Sequence, residues 1–162
     1  MEQARQGSAV ETGTITREIH IDATPDVVYE VVSRPEHLRE WWPDDAELDP
    51  VPGGTGVIRF GDEADPAHVA PIAVVEADPP HRFSFRWIHG EGEPATAATS
   101  LLVAFDLVPS GSGTLLRFSE TGYRELGWEA AVLEELYADH VRGWDHFLPR
   151  LVAYAARVGA GR

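Results

Sequence analysis

Between roughly Trp128 and Val158, Leu133, Leu136, Tyr137, His140, Val141, Trp144, Phe147, Leu148, Leu151 and Tyr154 recur at helical spacing. Glu129, Glu134, Glu135, Asp139, Arg142, Asp145 and Arg150 fall on the opposite side. An apolar stripe of that length must be buried against a partner of similar length, and only the run of strands before it qualifies. One long helix laid across a curved antiparallel sheet leaves a hollow between the two layers. The stripe therefore predicts a container.

The preceding segments supply that sheet. From Thr14, Ile15, Arg17, Ile19 and Ile21 alternate with Thr16, Glu18, His20 and Asp22, the pattern of a strand with one apolar face. Thr24 reads as a helix N-cap, with Pro25 at the first helical position and Asp26 in the first turn. A short apolar helix follows and ends before Pro35; a second helical turn runs from Pro35 to Trp42. Breakers then separate strands: Pro52 to Gly56 turns into Val57–Phe60, a loop spans Asp62–Pro66, and an apolar strand covers Val69–Ala77. Arg82–His89 places Phe83, Phe85, Trp87 and His89 on one face; Ser100–Val108 does the same with Leu101, Val103, Phe105 and Leu107. Ser110–Gly113 is a hairpin connection, after which Leu116, Phe118 and Glu120 share an inward face. Gly122 and Gly127 bracket the crossover to the long helix. The fold class is α+β: a curved antiparallel sheet of six to seven strands around a long C-terminal helix, with two short helices after the first strand. One domain over residues 14–158 is expected, with tails at 1–13 and 159–162.

Composition narrows the partners. The net charge of −14, from 27 acidic and 13 basic residues, lacks the positive surface on which binding to nucleic acid or an anionic membrane rests. No cysteine is present, so disulfides and thiol chemistry are excluded. Met1–Gly13 has no apolar core of a signal peptide, and no run of eighteen apolar residues occurs, so a cytoplasmic protein without a membrane span is expected. Glu135, Asp139, Arg142 and His146 share a helical face, but the arginine competes with any cation there and no matching ligand cluster exists. Neither a metal nor a cofactor is expected. Gly53–Gly54–Thr55–Gly56 lacks the spacing and lysine of a phosphate loop.

The chain resembles the START-like (SRPBCC, birch-pollen-allergen type) superfamily with its helix-grip fold, and within it the Hsp-90 ATPase activator homologue-like family. The resemblance runs from about Thr14 to Tyr154. It rests on Arg17-Glu18-Ile19 leading to Ala23-Thr24-Pro25-Asp26-Val27-Val28-Tyr29, on Pro35-Glu36-His37-Leu38-Arg39-Glu40-Trp41-Trp42, and on Asp78-Pro79-Pro80-His81-Arg82-Phe83-Ser84-Phe85-Arg86-Trp87. Gly113-Thr114-Leu115-Leu116, Glu120-Thr121-Gly122-Tyr123, and Gly143-Trp144-Asp145-His146-Phe147-Leu148 complete it. The resemblance implies a cavity for a lipid or aromatic metabolite, with cyclisation or dehydration in a minority of relatives. It also implies a protein partner, as for the eukaryotic co-chaperone that names the family. That co-chaperone depends in addition on a separate amino-terminal domain, for which this chain is expected to have no room.

Polar groups aimed at an apolar interior are the informative candidates. By periodicity these are His89, Glu120 and His140. They serve either as a polar handle or acid/base pair for a ligand, or as a buried histidine satisfied by a neighbouring carboxylate. Trp42, Phe60, Phe85, Trp87, Phe105, Phe118, Tyr137 and Trp144 are candidates for the cavity wall, each with plain core filling as the alternative. Three functions follow: binding of a small hydrophobic molecule, a cyclase- or dehydratase-type enzyme acting in the same cavity, or a co-chaperone-like interaction domain. Monomer and homodimer are both open.

Overall fold

The apolar face of Thr14–Ile21 forms the first strand of a seven-stranded sheet in a computed structural model that describes residues 13–61 and 68–162. The tail expected at 1–13, save Gly13, and the loop expected at 62–66 lie outside those residues. After β1 (Thr14–Ile21) come α1 (Pro25–Ser33) and α2 (Pro35–Trp41), then β2 (Asp45–Leu48), β3 (Thr55–Phe60), β4 (His68–Asp78), β5 (Arg82–Trp87), β6 (Leu101–Ser110) and β7 (Gly113–Thr121). A short 3-10 turn at Arg124–Leu126 leads into α3 (Ala130–Ala160). All neighbouring strands pair antiparallel in the order β1-β7-β6-β5-β4-β3-β2. This is the α+β arrangement of antiparallel sheet and long helix that the alternation and the helical stripe predict, and the helix-grip fold that the family resemblance implies.

Local chemistry explains most boundaries. Thr24 occupies the N-cap in extended geometry and Pro25 opens α1, although the Thr24 side chain makes no capping hydrogen bond. Pro35 ends α1 and starts α2 in the same way. Trp41 then donates its indole N–H to the Val31 carbonyl at 3.0 Å, pinning α2 onto α1 although α1 is rich in β-branched residues. Gly122 and Gly127 adopt φ of 109° and 72°, conformations that leave the chain free to turn from β7 toward α3.

Arg17 sits on the apolar face of β1 without strain because it reaches across to α3. Its guanidinium bonds Asp145 at 3.0 and 3.3 Å, so the stripe's polar margin supplies its partner. The backbone of α3 comes nearest to α1, α2 and β1. Its distance from the middle of the sheet is bridged by side chains: Phe83, Phe85, Phe105 and Phe118 are buried from the strands, and Trp144, Leu148 and Leu151 from the helix. Trp144 and Phe118 meet with ring centroids 4.7 Å apart.

Two sequence expectations shift. The strand expected over Arg82–His89 stops at Trp87, because Ile88 takes φ of 74° and breaks the alternation. A β-branched residue in that region carries backbone strain, and here it lies at a cavity wall. The seventh strand, β2, comes from Asp45–Leu48, a segment with no marked alternation that gains its structure by pairing with Val57–Arg59 and Gly56 of β3.

Candidate functional site

Glu120 stands in an apolar row of the sheet. Its register neighbours are Ile15 on β1 and Val103 on β6, and it has no exposed surface. A carboxylate in that position costs several kcal/mol unless hydrogen bonds replace the lost water. Four donors do so. Trp87 Nε1 donates to Oε2 at 2.8 Å; Tyr123 Oη, His140 Nδ1 and Trp144 Nε1 lie 2.5, 2.8 and 3.1 Å from Oε1. The donors come from β5, the crossover and two successive turns of α3, so the carboxylate ties the helix to the sheet at one point. Burial first, and the Glu120 charge next, push the Tyr123 phenol far above its ordinary range, which keeps it a donor.

Beside this cluster lies an open cavity of about 230 Å³. Trp42, Phe60, His68, Trp87 and Ile88 wall it from one side; Asp139, His140, Gly143, Trp144 and Phe147 wall it from α3. The rings form a continuous set: Trp42 lies 5.2 Å from both Trp87 and Trp144, Trp87 5.3 Å from His140, and Phe60 6.1 Å from Phe147. The curved sheet and α3 diverge here, and the described side chains do not fill the gap. Such a site, apolar with few converging polar groups, suits a small ligand.

The structure distributes the sequence candidates among several places. Trp42, Phe60, Trp87, His140 and Trp144 reach the cavity wall. Glu120 lies behind the wall and touches it through Trp87, His140 and Trp144. Phe85, Phe105 and Phe118 are fully buried in the core away from the lining. Tyr137 packs edge-on against Tyr123 at 5.3 Å and donates to the Thr14 carbonyl at 3.1 Å. His89, displaced by the turn at Ile88, is buried outside the lining with Nδ1 unpartnered, and desolvation lowers its pKa against an opposing contribution from Glu93.

Sequence reasoning missed Tyr123, which lies in an irregular crossover with no period to expose it. His68, Ile88, Asp139 and Gly143 were missed as wall residues too. Asp139 and Gly143 each lie four positions or fewer from His140 on the helix, and that spacing was the available signal. A wider and more polar groove of about 620 Å³ lies elsewhere, between α1, the Pro50–Pro52 turn and Pro79–Pro80; α3 does not line it. Among the described residues no three His, Asp or Glu side chains converge as metal ligands. No described helix is long and apolar enough to cross a membrane.

Comparison with known proteins agrees with this architecture. No curated protein matches. Solved structures do: protein MLL2253 from Mesorhizobium loti is 22% identical with a TM-score of 0.70, over 89% of this chain and 97% of that one. The Aha1 dimer from Colwellia psychrerythraea is 21% identical with a TM-score of 0.68, over 86% and 92%. DynU16, from the dynemicin biosynthetic locus, is 22% identical with a TM-score of 0.65, over 88% of this chain and 46% of its own. These likenesses concern the fold. The family model described as Activator of Hsp90 ATPase homolog 1-like protein matches residues 22–156, from the end of β1 nearly to the end of α3, and the chain belongs to that family.

Proposed function

We propose that this protein binds a small, flat, mainly apolar molecule in the cavity between α3 and the β3–β5 side of the sheet, with residues 14–158 as the binding unit. One observation carries the reading: a cavity walled by aromatic rings stays open beside a fully satisfied buried carboxylate. A packed core would have closed there, since interiors tolerate few voids larger than water. Its size sharpens the ligand class. A cavity of about 150 Å³ accommodates one benzene ring, so about 230 Å³ suits a compound of one or two fused rings better than a long acyl chain.

Trp42, Trp87 and Trp144 make the test direct, because a bound aromatic changes the emission of three wall tryptophans. Titration with naphthalene and indole derivatives is expected to give saturable quenching, and native mass spectrometry of fresh protein is expected to show a co-purified passenger. Absence of saturation across the panel, with no passenger in repeated preparations, would overturn the reading. A second reading, a proton-transfer enzyme in the same cavity, draws on the 2.8 Å contact between His140 and Glu120. It predicts turnover that His140→Ala removes while affinity persists.

A further inference from the structure

The geometry points to His140 as a hydrogen-bond acceptor of fixed tautomer, and we infer that the cavity selects neutral aromatic molecules bearing an O–H or N–H donor, of the phenol or indole kind. This rests on the cavity-binding reading above and gives it a chemical class.

The argument begins at Glu120. The indole N–H groups of Trp87 and Trp144 are donors only, and they engage different oxygens of the carboxylate. The Tyr123 phenol, buried and close to Glu120, adds a further donor to Oε1. Both oxygens are thus committed as acceptors. His140 Nδ1 faces one of them at 2.8 Å and completes the set as another donor. That assignment follows from the network. In the neutral imidazole it leaves Nε2, on the far side of the ring, as an acceptor.

Nε2 makes no hydrogen bond with any described residue, yet it is not among the buried polar atoms lacking a partner. It is therefore accessible, and the cavity is what His140 borders. The wall otherwise offers ring faces, which carry partial negative charge, the His68 imidazole and Asp139. Among the described residues no lysine or arginine lines it. An anionic ligand would meet the Nε2 acceptor and Asp139, whose carboxylate already holds the Arg142 guanidinium at 3.4 Å, outside the lining. A neutral ring with a donor hydrogen meets a matching acceptor.

The wild-type protein decides this with three probes of similar size, compared by calorimetry: naphthol, methoxynaphthalene and naphthoate. Naphthol carries the donor, methoxynaphthalene only an acceptor, and naphthoate a charge. Naphthol is expected to bind roughly tenfold tighter than methoxynaphthalene, the value of one well-placed hydrogen bond. Naphthoate is expected to bind no better than the ether. Nitrogen NMR of the ligand-free protein should show His140 protonated at Nδ1 and bare at Nε2. The His140→Phe variant should bind naphthol and methoxynaphthalene alike while its circular dichroism keeps the native shape. Should that variant fail to fold, the wild-type probes and the NMR still decide the matter. Equal affinity for naphthol and its ether, a preference for naphthoate, or a hydrogen on Nε2 overturns this inference and leaves the cavity reading standing. Failure of every probe to bind overturns both.

Discussion

Trp42, which caps α2, and Trp144, midway along α3, hold their ring centroids 5.2 Å apart with the planes tilted by 32°. Both are almost wholly buried, at 4% and 2% exposure, yet each lines the cavity. Trp42 also packs on Phe85 at 5.6 Å and Trp87 at 5.2 Å. One indole thus supports core and wall together.

Truncating that indole is expected to damage both. Trp42→Ala should cost about 3–5 kcal/mol, the range for removing a large buried aromatic, and should enlarge the cavity. Urea denaturation measures the first effect and calorimetry with naphthol the second. A loss below about 1 kcal/mol would mean that Trp42 is not packed as described.

Replacing Glu120 separates a buried polar network from an exposed ion pair. Glu120→Leu leaves the Trp87, Tyr123 and Trp144 donors buried without an acceptor, each worth about 1–3 kcal/mol, so a loss above about 3 kcal/mol is expected. Asp145→Ala breaks the bond to Arg17, whose partners are 35% and 53% exposed, and should cost under about 1 kcal/mol. Comparable losses in denaturation midpoint for the two variants would contradict the contrast.

That network shows where sequence reading succeeds and stops. Period places His140 in the apolar stripe, and alternation places Glu120 on the inward face of β7. Each position is therefore legible alone. Their contact joins residues on a strand and on a helix beyond the crossover, and no local period encodes it. Phe85, Phe105 and Phe118 face inward as alternation requires, but facing inward does not say whether a ring meets a cavity or another ring. That depends on where α3 diverges from the sheet. The strand end at Trp87 was hidden for a different reason: Ile88 belongs to a residue type that rarely takes positive φ.

Alkaline stability reports the buried phenol of Tyr123. Burial and the Glu120 charge hold its proton far above the ordinary tyrosine value of 10.0. Above that pH the unfolded chain releases the proton and the folded chain retains it, so stability is full below about pH 10 and falls as pH rises. Tyr29 and Tyr154 are shifted in the same direction, chiefly by desolvation. Tyr123→Phe should flatten the slope of unfolding free energy above about pH 10. An unchanged slope would place the ionising group elsewhere.

Acid stability reports His89 with the opposite sign. Desolvation lowers its folded-state pKa below 6.5, with Glu93 opposing. As pH falls through the unfolded value, the unfolded chain takes up a proton that the folded chain refuses, so stability present above about pH 6.5 is lost below it. His89→Leu should reduce that loss between about pH 7 and pH 5, as read from urea midpoints. A variant as acid-sensitive as the parent would show that another group sets the acid limit.

Gly143 offers the cleanest separation of fold from binding. It lies within α3, where glycine is about 0.5–1 kcal/mol less favourable than alanine, and it borders the cavity one turn from Phe147. A methyl group at this position would meet no heavy atom within 4 Å beyond its own helix. Gly143→Ala should therefore raise stability by about 0.5–1 kcal/mol. Gly143→Leu should keep the fold, because its side chain enters empty space, and should abolish naphthol binding by filling that space. Retained affinity in a folded Gly143→Leu protein would show that ligands bind somewhere other than this cavity.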